Sequence, residues 1–134
     1  MLYRAVEQLC ERGATPQSLT VAIGPALAPC CFELDQQRLA DIERLPGIPC
    51  RCAITSSSLV IRSHCAPGRC HQASIWFDLP QLAKQMLVNT GIPAAQIDLI
   101  PLCTYCATES GSSCRFNTHH GSGYRSRYSW IRRR

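Results

Sequence analysis

Leu19-Thr20-Val21-Ala22-Ile23-Gly24-Pro25-Ala26-Leu27-Ala28-Pro29-Cys30-Cys31-Phe32-Glu33 is the stretch whose reading decides the fold. Leu19 to Ile23 is apolar and β-rich, and it stops at a Gly-Pro breaker. Pro29, two adjacent cysteines and an acid-bearing segment follow at once. A buried strand that empties into a tight loop is where α/β proteins place their ligand sites. The spacing of Phe32, Leu34, Leu39, Ile42 and Leu45 then predicts a helix closed by Pro46-Gly47, with Glu33 in its first turn, where the dipole favours an acid.

The rest of the chain alternates in the same way. Leu2, Val6, Leu9 and Cys10 recur at helical spacing and Gly13 supplies a stop, which predicts a helix over 2–12. Ala73 to Phe77 reads as a strand, and Asp78 as the N-cap of a helix over 78–90 that Gly91 ends. Ala94 to Gln96 is a single turn, Ile97 to Leu102 a strand region and Tyr124 to Ile131 a last strand. Residues 46–72, rich in Pro, Gly, Ser and Cys, read as a surface insertion with short strands at Ala53–Thr55 and Leu59–Ile61. The pattern predicts an α/β fold. Its strands at 19–23, 73–77, 97–102 and 124–131 share one mixed sheet, flanked by the helices at 2–12 and 78–90.

The Gly24–Leu34 stretch resembles the Gly-Pro-x-Ile-x-x-Cys-Cys-Tyr-Glu-Val signature of the multicopper polyphenol oxidase or laccase-domain (YfiH-like) family, with Phe32 for Tyr and Leu34 for Val. Leu102-Cys103-Thr104-Tyr105-Cys106 is similar to the family's Cys-Thr segment. Between them Phe77-Asp78-Leu79, Leu87 and Gly91-Ile92 match the family's intervening helix in order and spacing. The resemblance covers residues 1–131 as one partial domain and leaves 132–134 as a basic tail. It implies a zinc-dependent purine nucleoside phosphorylase, with copper as an alternative metal and a nucleoside and phosphate as partners.

The same resemblance places the family's His, Cys and His metal ligands, and a His-Ala-Gly-Trp-Arg motif, upstream of Met1. It therefore implies the C-terminal portion of a family domain, with no metal site of its own and no activity alone. An exposed face of the Leu2–Leu9 helix would then favour self-association. The substrate-pocket residues it carries over are Gly24, Pro25, Cys31, Glu33, Cys103 and Thr104. Arg125 would compensate for His119 and His120, which stand where the family has two arginines. A non-catalytic binding module and a small structural zinc protein are the competing readings.

Composition bounds these readings. The 134 residues suit one domain, and the 46% hydrophobic content is that of a globular protein. A net charge of +5 is concentrated late, with Arg115, Arg125, Arg127 and Arg132 to Arg134 in the last twenty residues. No aromatic-basic motif accompanies them, so they read as a solvated basic tail rather than a nucleic-acid surface. No apolar run reaches the roughly 18 residues of a membrane span, and no signal peptide is visible, which points to the cytoplasm. The ten cysteines are then reduced thiols.

Three cysteine groups compete for chemistry. Cys50, Cys52, Cys65, Cys70 and His71 carry enough soft ligands for a metal but lack a ribbon spacing. Cys103-x-x-Cys106 has knuckle spacing, with Cys114, His119 and His120 nearby. Cys30 or Cys31 would be an activated nucleophile if it sat at a helix N-terminus; inward packing is the simpler reading.

Overall fold

The computed structural model describes residues 1–45, 53–54, 75–107 and 113–121. Helix α1 (Leu2–Glu11) ends where Gly13 takes a φ of 94°, a conformation open to glycine without strain. Strand β1 (Val21–Ile23) follows a single 3₁₀ turn at Pro16–Ser18. Strand β2 (Glu33–Leu34) and helix α2 (Gln36–Glu43) come next. Strands β3 (Ala53–Ile54) and β4 (Ile75–Phe77) precede helix α3 (Leu79–Asn89), and β5 (Ile97–Leu99) precedes the short helix α4 (Cys114–His120).

Local chemistry sets most of these boundaries. Asp78 accepts a hydrogen bond from the Gln81 N–H at 2.9 Å, capping α3, and Pro80 suits the first turn because a missing N–H costs nothing there. Gly91, at φ 93°, ends the helix as expected. Asp35 caps α2 by accepting from the Arg38 N–H at 2.7 Å. That cap corrects the expectation that the helix begins at Phe32. Glu33 lies in β2 instead, paired with Trp76, and the Phe77 N–H donates to the Phe32 carbonyl at 2.9 Å.

Among the described residues the strands form two sheets rather than one mixed sheet. β1 pairs in parallel with β5 in the register Val21↔Ile97, and β4 lies between β2 and β3 in an antiparallel three-stranded sheet. The pattern of apolar runs identified strands but carried no information about which would pair. The expected strands at 59–61 and 124–131, and most of the 46–72 insertion, lie outside the described residues, as does Arg125.

Each sheet has its own core. Val6, Leu87, Ile92 and Ile97 pack together under α1, α3 and the parallel pair, with Leu19, Val21 and Ile23 against them. Phe77 and Leu82 gather Phe32, Leu34, Leu39, Ile42 and Met86 between the antiparallel sheet and the helices. A third cluster is built of Cys31, Cys103 and Tyr105, with Leu27, Cys30, Cys106 and Phe116 packed on it.

Candidate metal centre

The parallel pair delivers both cysteine segments to one place. Beyond β1 and β5 the ladder resumes as a bridge between Ala26 and Cys103, and the Thr104 N–H donates to the Ala26 carbonyl at 3.0 Å. Three steps from Ile23 to Ala26 oppose four from Leu99 to Cys103. The extra residue falls at Pro101, which has no N–H to continue the ladder. The chain closes a tight turn across it, with the Leu102 N–H donating to the Ile100 carbonyl at 2.8 Å. The Gly24-Pro25 and Cys103-Thr104 loops are thus neighbours, as expected from their motifs.

Each segment then turns its thiols inward. The N–H groups of Cys31 and Phe32 both donate to the Ala28 carbonyl at 2.9 Å, curling residues 28–32. The Ala107 N–H donates to the Cys103 carbonyl at 3.0 Å, closing the Cys103-x-x-Cys106 turn. As a result the Sγ atoms of Cys30, Cys31, Cys103 and Cys106 all lie within 4.8 Å of one another. Cys31 and Cys106 are 3.4 Å apart, and Cys30 and Cys106 3.9 Å. Four thiolates at about 2.3 Å from a tetrahedral ion would stand about 3.8 Å from each other. The cluster has the size of such a site.

The electrostatics of the four sulfurs differ. Burial pushes the Cys30 thiol up to about 11 and raises Cys31, which is fully buried, further still, with the Cys106 hydrogen bond adding to the effect. Burial acts the same way on Cys103, but N–H groups of Ala28, Cys106 and Tyr105 directed at its sulfur outweigh it. Its pKa comes down to about 7. The Cys-x-x-Cys turn thereby makes Cys103 easier to ionise than Cys30 or Cys31. The rise at Cys30 and Cys31 also corrects the nucleophile reading. Strand β2, not a helix N-terminus, follows them, so no dipole lowers their pKa.

Arg115 secures this arrangement from α4. Its Nη1 donates to the Cys31 carbonyl at 3.2 Å and its Nη2 to the Glu33 carbonyl at 3.1 Å, and the guanidinium lies 5.3 Å from the Phe32 ring centroid. One residue along, Phe116 meets Tyr105 edge-to-face at 5.3 Å. The N-cap of α4 is Ser113, whose hydroxyl accepts from the Phe116 N–H at 3.2 Å. Assigning Arg115 to a solvated basic tail is therefore incorrect, although Arg125, Arg127 and 132–134 lie outside the described residues. Cys114 is exposed and lies outside the cluster. The Cys50, Cys52, Cys65, Cys70 and His71 group also lies outside the described residues.

Comparisons with known proteins give the family and the fold. The family model described as multi-copper polyphenol oxidoreductase laccase matches residues 1–130. The chain belongs to that family. The chain resembles YfiH of Bacillus licheniformis with a TM-score of 0.69 and 24% identity over 88% of its length. It resembles YlmD of Geobacillus stearothermophilus with a TM-score of 0.62 and 22% identity, again over 88%. Adenosine deaminase RL5, from an unknown prokaryotic organism, is 28% identical over 110 residues, or 82% of this chain. The chain spans 40% and 39% of the two solved chains and 37% of RL5.

These findings correct several expectations for this laccase-family domain. The family match runs from residue 1 to residue 130, so the reading of a C-terminal portion with the N-terminal part of the fold missing is set aside. The expectation that the chain holds no metal site is overturned by the four-cysteine cluster. The reading of a zinc-dependent purine nucleoside phosphorylase, inactive for want of its metal-binding half, falls with it. The curated similarity is distant and partial, and supports neither a transferase nor a hydrolase assignment. Among the described residues no helix is long and apolar enough to cross a membrane.

The signal for the cluster was present in the sequence but divided. Along the chain Cys103 and Cys106 group with Cys114, His119 and His120, which are close in sequence. The partners are Cys30 and Cys31, about seventy residues upstream and brought in by the parallel pairing.

Proposed function

We propose that this domain chelates a thiophilic, tetrahedrally coordinated metal ion through Cys30, Cys31, Cys103 and Cys106. The observation that carries the reading is the convergence of four Sγ atoms within 4.8 Å from two separate loops. Soft thiolate sulfur selects ions that prefer it to oxygen, and a four-sulfur set favours tetrahedral geometry. All four positions are filled by protein, which suits an ion that ties two loops together rather than one that keeps a position open for substrate. Such an ion would relieve the cost of crowding four sulfurs in a half-buried site. The N–H groups on Cys103 and the guanidinium fixed beside Cys31 add positive potential for the net negative charge of a four-thiolate centre.

Of the residues expected to line a pocket, Cys31 and Cys103 become ligands in this reading. Gly24, Pro25, Glu33 and Thr104 become the frame that presents them. Free thiols are needed for loading, so a reducing compartment such as the cytoplasm is the setting we propose. The test is titration of the reduced, chelator-treated full chain with cobalt(II), whose thiolate charge-transfer and tetrahedral ligand-field bands report the donor set. One equivalent bound with a four-thiolate spectrum is expected. An octahedral oxygen-type spectrum, or no uptake, would overturn the reading.

A further inference from the structure

We infer that Cys31 and Cys106 are a peroxide-sensitive pair that closes to a disulfide and, in doing so, dismantles the four-cysteine site. The consequence for the metal rests on the reading above; the pairing itself rests on the arrangement of the thiols. The Cys31 and Cys106 sulfurs are 3.4 Å apart, closer than the 3.9 Å between Cys30 and Cys106. Closing to the roughly 2.0 Å of a sulfur–sulfur bond takes a small side-chain movement. Cys103 is anchored through its backbone, by the ladder bridge to Ala26 and by the Ala107 N–H that donates to its carbonyl at 3.0 Å. Cys30 and Cys31 are sequence neighbours, and a disulfide between neighbours would force a strained ring through the peptide bond.

Exposure sets the order of events. Cys106 is partly accessible whereas Cys31 is fully buried. A hydroperoxide reaches Cys106 first: its sulfur attacks the terminal peroxide oxygen, the O–O bond breaks, and an alcohol (water, for hydrogen peroxide) leaves with the thiol proton. The resulting sulfenic acid carries both oxidising equivalents. The Cys31 sulfur then attacks the Cys106 sulfur, the S–O bond breaks and water leaves with the Cys31 proton. Two thiols have lost two electrons and the peroxide has gained them. Cys30 and Cys103 alone cannot complete a four-sulfur shell, so disulfide and bound metal exclude each other. A thiol reductant reverses the step.

The experiment treats the reduced, metal-free full chain with hydrogen peroxide and maps cross-linked peptides by mass spectrometry, alongside cobalt loading of the same samples. We expect a Cys31–Cys106 link that persists in Cys30→Ser and Cys103→Ser and is absent from Cys31→Ser and Cys106→Ser. Peroxide should abolish the cobalt–thiolate bands and dithiothreitol should restore them, while prior metal loading should suppress the link. Far-UV circular dichroism of each variant checks that it folds. A link from Cys106 to Cys30, or over-oxidation without any link, would overturn the inference even if cobalt binds normally. A Cys31–Cys106 link in a chain that takes up no cobalt would uphold the pairing while overturning the metal reading. A link that forms equally in the loaded protein would overturn the exclusion of one state by the other.

Discussion

Arg115→Met removes the clamp between α4 and the cysteine loop while keeping a long apolar side chain over Phe32. Arg115 makes two charged hydrogen bonds, to the Cys31 and Glu33 carbonyls at 3.2 and 3.1 Å, and is half-buried. At the low end for charged donors each contributes about 1.5 kcal/mol. The cation–π contact at 5.3 Å adds about 0.5 kcal/mol at a partly exposed site. The Met thioether recovers about 0.5 kcal/mol by packing on the ring. The expected loss of stability is therefore about 3 kcal/mol, read as a lower urea midpoint at unchanged slope. Arg115→Lys should recover less than half of it, because an ammonium lacks the fixed fork that reaches two carbonyls at once. Metal affinity should fall by about tenfold or more, as for other residues that hold a ligand in place. A loss below about 1 kcal/mol with unchanged metal affinity would refute the reasoning.

Three further outcomes are expected. Ile92, 1% exposed among Val6, Leu87 and Ile97, should cost about 3 kcal/mol as Ile92→Ala in urea unfolding; a loss under about 1 kcal/mol would mean that this core is loosely packed. Asp78→Ala should cost about 1 kcal/mol by uncapping α3, and Asp78→Asn should recover most of it, since either side chain can accept from the Gln81 N–H; equal losses in both variants would assign the effect to charge instead. Metal affinity should rise with pH between 6 and 8. Burial keeps Cys30 and Cys31 protonated across that range, so binding must expel their protons. Competition titrations that show a flat profile would rule out thiolate coordination.

The four-thiol cluster also changes how the two motifs are understood. The resemblance reads the Cys-Cys and Cys-Thr segments as edges of one substrate pocket. In the fold they are two halves of one four-thiol cluster, joined by the Ala26–Cys103 bridge and braced by Arg115.

Local rules made much of this protein legible from its residues. The ends of α1 and α3 follow from Gly13, Asp78 and Gly91, because a cap or a positive φ is decided within one turn of chain. The strands at Val21–Ile23 and Ile97–Leu99 follow from short apolar runs between breakers. The Cys-x-x-Cys turn likewise carries its own geometry. Tertiary pairing decided the remainder. Phe32 and Leu34 adjoin the helical run of Leu39, Ile42 and Leu45, but they lie two apart, a strand spacing, and Glu33 and Leu34 become a strand because β4 offers them backbone partners and Asp35 starts the helix later. Arg115 resembles one more charge in a basic run until α4 sets it against Cys31 and Glu33. Cys30 and Cys31 meet Cys103 and Cys106 only because β1 and β5 pair in parallel in one register, with the extra residue at Pro101 setting the final offset. Parallel pairing is a contact between distant segments whose apolar patterns fit many partners equally well. The backbone hydrogen bonds and shared core that select one register exist only once the chain has folded.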